Sequence, residues 1–304
     1  MTVRQAKLRR SLRNGVVTLI VVACIAATTR LFDWSSVAAA LAHLRAGLLV
    51  GAGAPLLLLI ALLRGWRWLV VLGMRPTPRL LWQSFCANGA AAGLASLTPF
   101  QVGEIVKIRL IPDHHGSAWR LGVSAFFVER MLDLGTMCCV CLAGLSVRFG
   151  IAWAALPALC IPLLGAFIGS HVARRLPLPA RLRPYVEVLL HLPRTVAAAA
   201  LSLPIWGLYC VLWWIALQAM NVPILWHQVA ILLGAVMLAV VVSMTPGGLG
   251  VSELSSRGLL LWLGQTPAQA EAGAIALRLL TPIIVLVGVA CLLPLIRQLR
   301  KPPH

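Results

Sequence analysis

Residues 121–147 read LGVSAFFVERMLDLGTMCCVCLAGLSV. The run is about 27 residues, or about 40 Å as a helix, longer than a hydrocarbon core of about 30 Å. It is apolar nearly throughout, yet Glu129, Arg130 and Asp133 lie about 12–18 Å along it by the rise of an α-helix. A charge at mid-helix costs about 2.5–3.5 kcal/mol on insertion scales, so three within five positions call for partners or water. Arg130 and Asp133 are i,i+3 neighbours and Glu129 and Asp133 are i,i+4, so all three can share one face. Two readings stay open: a structural ion pair with Arg130 reaching towards headgroups, or a polar cavity.

The rest of the chain agrees with a membrane span there. Of 304 residues, 60% are hydrophobic and 11% charged, against about 45–50% apolar and about 25% charged in soluble domains. With a mean hydropathy of +0.92, polar residues cannot cover a surface, and lipid must do so. Disorder, coiled coil, collagen and a disulfide scaffold are excluded by the same numbers. The expectation is one all-α polytopic membrane domain over residues 1–304. The formal net charge of +18 falls in short stretches between apolar runs. That pattern fixes orientation and meets anionic headgroups, and nucleic acid is not the expected partner. The eight cysteines do not pair by spacing. Cys138, Cys139 and Cys141 share one apolar run and read as small packing residues, so neither a metal site nor a cofactor is expected.

Six apolar spans are expected, over 16–29, 46–63, 121–147, 149–171, 195–220 and 271–296. The first follows Arg4, Lys7, Arg9, Arg10 and Arg13. With no clean A-x-A site behind it, it reads as a retained helix rather than a signal peptide. Two further segments, 80–97 and 224–263, are apolar but broken by Gly, Pro and polar residues. The positive-inside rule assigns the N-terminus, 64–79, 174–194 and the C-terminal tail to the cytoplasm, provided that 80–97 enters and returns. Both broken segments therefore read as re-entrant hairpins, with an eight-span count as the alternative.

The two hairpins resemble each other. The first carries Ser96-Leu97-Thr98-Pro99, then Gly103-Glu104, then Arg130 in the next long helix. The second carries Ser243-Met244-Thr245-Pro246, then Gly250 and Glu253, then Arg278. Thr98 and Arg130 are 32 residues apart, and Thr245 and Arg278 are 33. By the orientation above the hairpins enter from opposite faces, which makes an inverted repeat with halves near 46–171 and 195–296. Paired Gly/Pro-interrupted segments in two such halves point to a site near the midplane.

Arg278 is an intramembrane arginine with no acid close in sequence; Glu104 or Glu253 could reach it from a hairpin. Its planar fork suits a phosphate. Pro246-Gly247-Gly248-Leu249-Gly250 reads as a tight loop before a half-helix, where backbone N–H groups favour an anion, or as a turn needing positive φ. No Walker lysine follows it. Gly89 and Gly93 suit close helix packing. His114-His115 reads as a solvated loop, and Trp66, Trp68, Trp82 and Trp226 read as an aromatic belt. No Ser/His/Asp set, zinc spacing or carboxylate pair marks an enzyme, and no catalytic residue is expected.

Asn88, Pro99, Gly103-Glu104, Lys107, Glu129-Arg130-Met131-Leu132-Asp133, the run from Pro246 to Glu253 and a late Arg278 resemble the lysylphosphatidylglycerol synthase transmembrane, or flippase-like, family. The likeness covers about residues 45–296. It implies a bacterial inner-membrane protein that handles lipids, here as a stand-alone membrane domain without the aminoacyltransferase domain. Such members often carry a basic residue where this chain has Gln101, and an Arg where it has Lys107. The expected function is translocation of an anionic or headgroup-modified lipid. The expected headgroup site is Glu104, Lys107, Glu129, Arg130, Asp133, Gly247, Gly248, Gly250, Glu253 and Arg278. The partners are then membrane lipids bearing phosphate. The alternative is a non-transporting partner of a lipid-, hopanoid- or glycan-modifying enzyme, and a third class is an enzyme acting on a lipid phosphate.

Overall fold

The computed structural model describes residues 22, 26–110, 118–175, 191–243 and 245–299. Its elements are helical, with no strand among the described residues. Among the described residues, six stretches are long and apolar enough to cross a membrane: Ala46–Leu72, Trp119–Arg148, Ala152–Val172, Leu192–Ala219, Trp226–Ser243 and Pro267–Ile296. The chain is a multi-pass membrane protein. The six are not quite those expected. The run 16–29 lies mostly outside the described residues, as do His114-His115 and most of 174–194. In its place stands Trp226–Ser243, the first arm of the second broken segment, which is long and apolar enough to cross by itself.

A short α1 (Trp34–Ala42) precedes α2 (Ala46–Leu72). The helix α2 overturns one expectation. It was expected to end before Arg64, but the apolar residues after Arg67 carry it on to Leu72, where Gly73 stops it at φ 70°. Arg64 and Arg67 therefore lie inside the helix rather than in a loop. Next come α3 (Pro78–Ala95), begun by the Thr77 side chain and Pro78, and a 3-10 stretch over Pro99–Leu110 that folds back on α3. The long α4 (Ala118–Arg148) and α5 (Ala155–Arg175) complete the first part.

The second part likewise sets a 3-10 stretch between helices. It runs α6 (Leu192–Ala219), α7 (Trp226–Ser243), a 3-10 turn at Pro246–Gly248, α8 (Val251–Trp262), α9 (Pro267–Arg278) and α10 (Leu280–Leu299). The packing is crossed between the parts. α2 lies along α6, α3 lies along α10, and α7 lies along α4. Lipid tails are as apolar as leucine, so such contacts depend on close fit of small residues. A Cβ on Gly93 of α3 would stand 2.8 Å from the Cα of Gly288 on α10. One on Gly234 of α7 would stand 2.6 Å from the Cβ of Cys141 on α4. Gly89 and Cys141 thus sit in the tight seams that their size suggests. Trp66, Trp82 and Trp226 are exposed as a belt requires, but Trp68 is buried and does not belong to it.

Candidate functional site

The tips of the two broken segments meet. In the first, Thr98 Oγ1 donates to the carbonyl of Leu94 at 2.9 Å and accepts from the N–H of Gly103 at 3.0 Å, which turns the chain back. In the second, Gly247, Gly248 and Gly250 all have positive φ, a conformation that other residues rarely adopt. A Cβ on Gly247 would fall 2.3 Å from the carbonyl oxygen of Ser96. Backbone therefore faces backbone where the tips touch.

Glu104 holds Arg130 of α4, and Glu253 holds Arg278 of α9. Glu104 Oε2 accepts from Arg130 Nη2 at 2.6 Å, and Glu253 Oε1 lies 3.1 Å from Arg278 Nε. Arg278 also donates from Nη1 to the carbonyl of Gly247 at 2.8 Å. It sits in the last turn of α9, where a cation meets the helix dipole favourably, and the helix breaks just after it. The choice left open for Arg278 falls to Glu253, and Glu104 serves Arg130.

Around Glu104 lies a larger ionic network. Arg64 Nη2 donates to Glu104 Oε1 at 2.8 Å. Arg67 donates from Nη1 to Asp133 Oδ1 at 2.7 Å and to Ser202 Oγ at 2.8 Å, and its Nε lies 3.3 Å from Glu129 Oε1. Lys107 Nζ bridges Glu129 and Glu104 and lies 4.6 Å above the ring of Trp68. Asp133 also meets Arg130 at 3.0 Å and the indole N–H of Trp206 at 3.3 Å. Arg67, Lys107 and Glu129 are fully buried. The three charges of α4 part company: Glu129 turns to Arg67 and Lys107, while Arg130 and Asp133 face each other.

A cavity of about 530 Å³ opens between the tips and helices α2, α3, α4, α6, α7, α8, α9 and α10. Of the ten expected site residues, Glu104, Arg130, Asp133, Gly247, Gly248 and Arg278 line it. Lys107, Glu129, Gly250 and Glu253 stand behind that wall. The N–H of Gly250 is already taken by Glu253 Oε2 at 2.7 Å, so the anion at the start of α8 is the protein's own carboxylate. Sequence reasoning missed Arg64, Asn88, Trp206 and Tyr209 among the lining, and the buried Arg67 behind it. No local signal marked the arginines: Arg64 and Arg67 are one helical turn apart at the edge of an apolar run, which does not say whether the helix stops or continues. Among the described residues, no group of His, Cys, Asp and Glu could hold a metal ion.

The family model of the lysylphosphatidylglycerol synthase TM region matches residues 15–288. The chain belongs to that family. No curated protein and no solved structure matches it. As a member of the lysylphosphatidylglycerol synthase TM-region family, the chain aligns with a membrane region and not with a catalytic domain. The match spans both hairpins and every residue of the cavity wall.

Proposed function

We propose that the protein is a lipid translocase of the bacterial inner membrane, acting on an anionic or headgroup-modified lipid. One observation carries this reading: Arg130 and Arg278, one from each part of the chain, line the same cavity. A polar headgroup cannot cross hydrocarbon unaided, so it needs a polar path while its tails stay in lipid. The arginines hold the phosphate oxygens, and Glu104, Asp133 and Glu253 orient the arginines. The crossed packing of α3 on α10 and of α7 on α4, with the tips meeting between, supports an inverted repeat of re-entrant hairpins. Both termini then lie in the cytoplasm.

Purified protein in liposomes tests the proposal, with fluorescent anionic lipids as reporters of headgroup transfer between leaflets. Transfer above that of empty vesicles is expected. No excess for any of several anionic lipids would leave the non-transporting role as the better reading.

A further inference from the structure

The segment that enters α1 reaches across the chain to the second hairpin. Phe32 is buried against Ala274 and Ile275 of α9 and Leu254 of α8, and Val37 of α1 joins the same cluster. Glu271 of α9, itself buried, divides its carboxylate. Oε1 accepts from Arg257 Nε of α8 at 3.1 Å, and Oε2 accepts from the backbone N–H of Asp33 at 3.0 Å. The Arg257 guanidinium stands 5.7 Å from the centre of the Phe32 ring, within cation–π reach. The contact falls beside the candidate site: Leu254 follows Glu253, and Ile275 lies a helical turn before Arg278. Ser252 and Ser256 of α8 and Leu277 and Arg278 of α9 belong to the cavity wall.

Two features make this contact a releasable catch rather than a permanent seam. The segment is folded on itself. Asp33 accepts from the N–H and hydroxyl of Ser35 at 3.1 and 2.6 Å and from the hydroxyl of Ser36 at 2.7 Å, and the Trp34 indole donates to the carbonyl of Thr29 at 3.1 Å. It can therefore lift as a unit. When it lifts, Arg257 keeps Glu271 paired, so the step does not orphan a buried charge, and the Asp33 N–H passes to water. The two hairpins are also held unequally. Glu104 ties the first to Arg64 of α2 and Arg130 of α4, whereas α8 packs chiefly on α7 and α9. We infer that residues 29–37 form a strap that holds the α8–α9 pair in place as a wall of the cavity, with Glu271 as its catch. Lifting the strap frees that pair to move while the first hairpin stays. The inference rests on the lipid reading above and adds to it a moving part and the contact that restrains it.

The test is hydrogen–deuterium exchange of the purified full chain in liposomes, run beside the scrambling assay. Phe32→Ala removes the ring and leaves every charge in place. It should speed amide exchange in α8 and α9 about tenfold or more, leave α3 and residues 99–110 unchanged, and raise the scrambling rate. On a cysteine-free background, Phe32→Cys combined with Ala274→Cys should behave in the same way while reduced. Bridged by an added oxidant, that protein should lose both the fast exchange and the scrambling, and reduction should restore them. Should Phe32→Ala fail to fold, Phe32→Leu keeps a buried apolar side chain without the ring and should give the same pattern with a smaller change. Exchange that rises throughout the chain, or that does not rise in α8 and α9, would overturn the inference. So would a bridged protein that scrambles as fast as the reduced one. Localised exchange in a protein that never scrambles would keep the strap and sink the transport reading; scrambling without localised exchange would do the reverse.

Discussion

Arg130 and Arg278 each grip a hairpin glutamate and still leave about a quarter of the side chain exposed, 24% and 23%. Arg67 is different: it is wholly enclosed and touches two carboxylates and a serine. The difference separates function from folding. Arg130→Ala and Arg278→Ala should both insert and express yet abolish scrambling, and lysine should rescue poorly because it lacks the planar fork. Arg67→Ala leaves Glu129 and Asp133 short of a partner and should cost about 3–5 kcal/mol of stability, as for other broken buried pairs. Detergent melting curves beside the scrambling assay check both statements, and a fully active Arg130→Ala or Arg278→Ala would refute the shared-cavity reading. The charged residues of α4 were legible because an acid or base inside an apolar run stands out. Arg64 and Arg67 were not, because a basic residue at the edge of such a run looks the same whether the helix stops or continues. Only the long-range pairing with Glu104, Glu129 and Asp133 distinguishes the two, and local sequence does not carry it.

At the scale of elements, the broken segments announced themselves through their Gly and Pro residues, and the structure brings their tips together. That they touch through backbone depends on Gly247, at φ 55°. Gly247→Ala combines an unfavourable φ with a clash against Ser96. It should cost about 1–3 kcal/mol and lower scrambling by parting the tips. Gly51→Ala, whose Cβ would have nothing within 4 Å, should change neither. Assaying the two variants side by side checks this, and a fully active Gly247→Ala would mean that the tips need not meet. The seams between helices were less legible. The pairing of α3 with α10 and of α7 with α4 joins residues far apart in the chain, and a small-residue spacing says that a helix packs closely without saying on what. The second segment leaves the span count open: α7 alone has the length and hydropathy of a span, as in the eight-span alternative.

For the whole molecule, the proposed orientation puts the segment 174–194 on the cytoplasmic side. A cysteine introduced by Arg183→Cys on a cysteine-free background should react with impermeant reagent from that side, and labelling only from the other would invert the topology. The meeting of the hairpin tips has an electrical consequence under the same proposal. Under that proposal, the contact where Gly247 faces Ser96 would be a thin layer of main chain between the two ends of the path. A hydrated groove reaching that layer would carry the potential of bulk solution up to it. The membrane voltage would then fall across a few ångströms instead of across the bilayer. A charge stepping past the tips would meet about 2.3 kcal/mol per 100 mV within that one step. The passage of a net-charged headgroup would accordingly run at a rate set by the membrane voltage, and faster in the direction that the voltage favours.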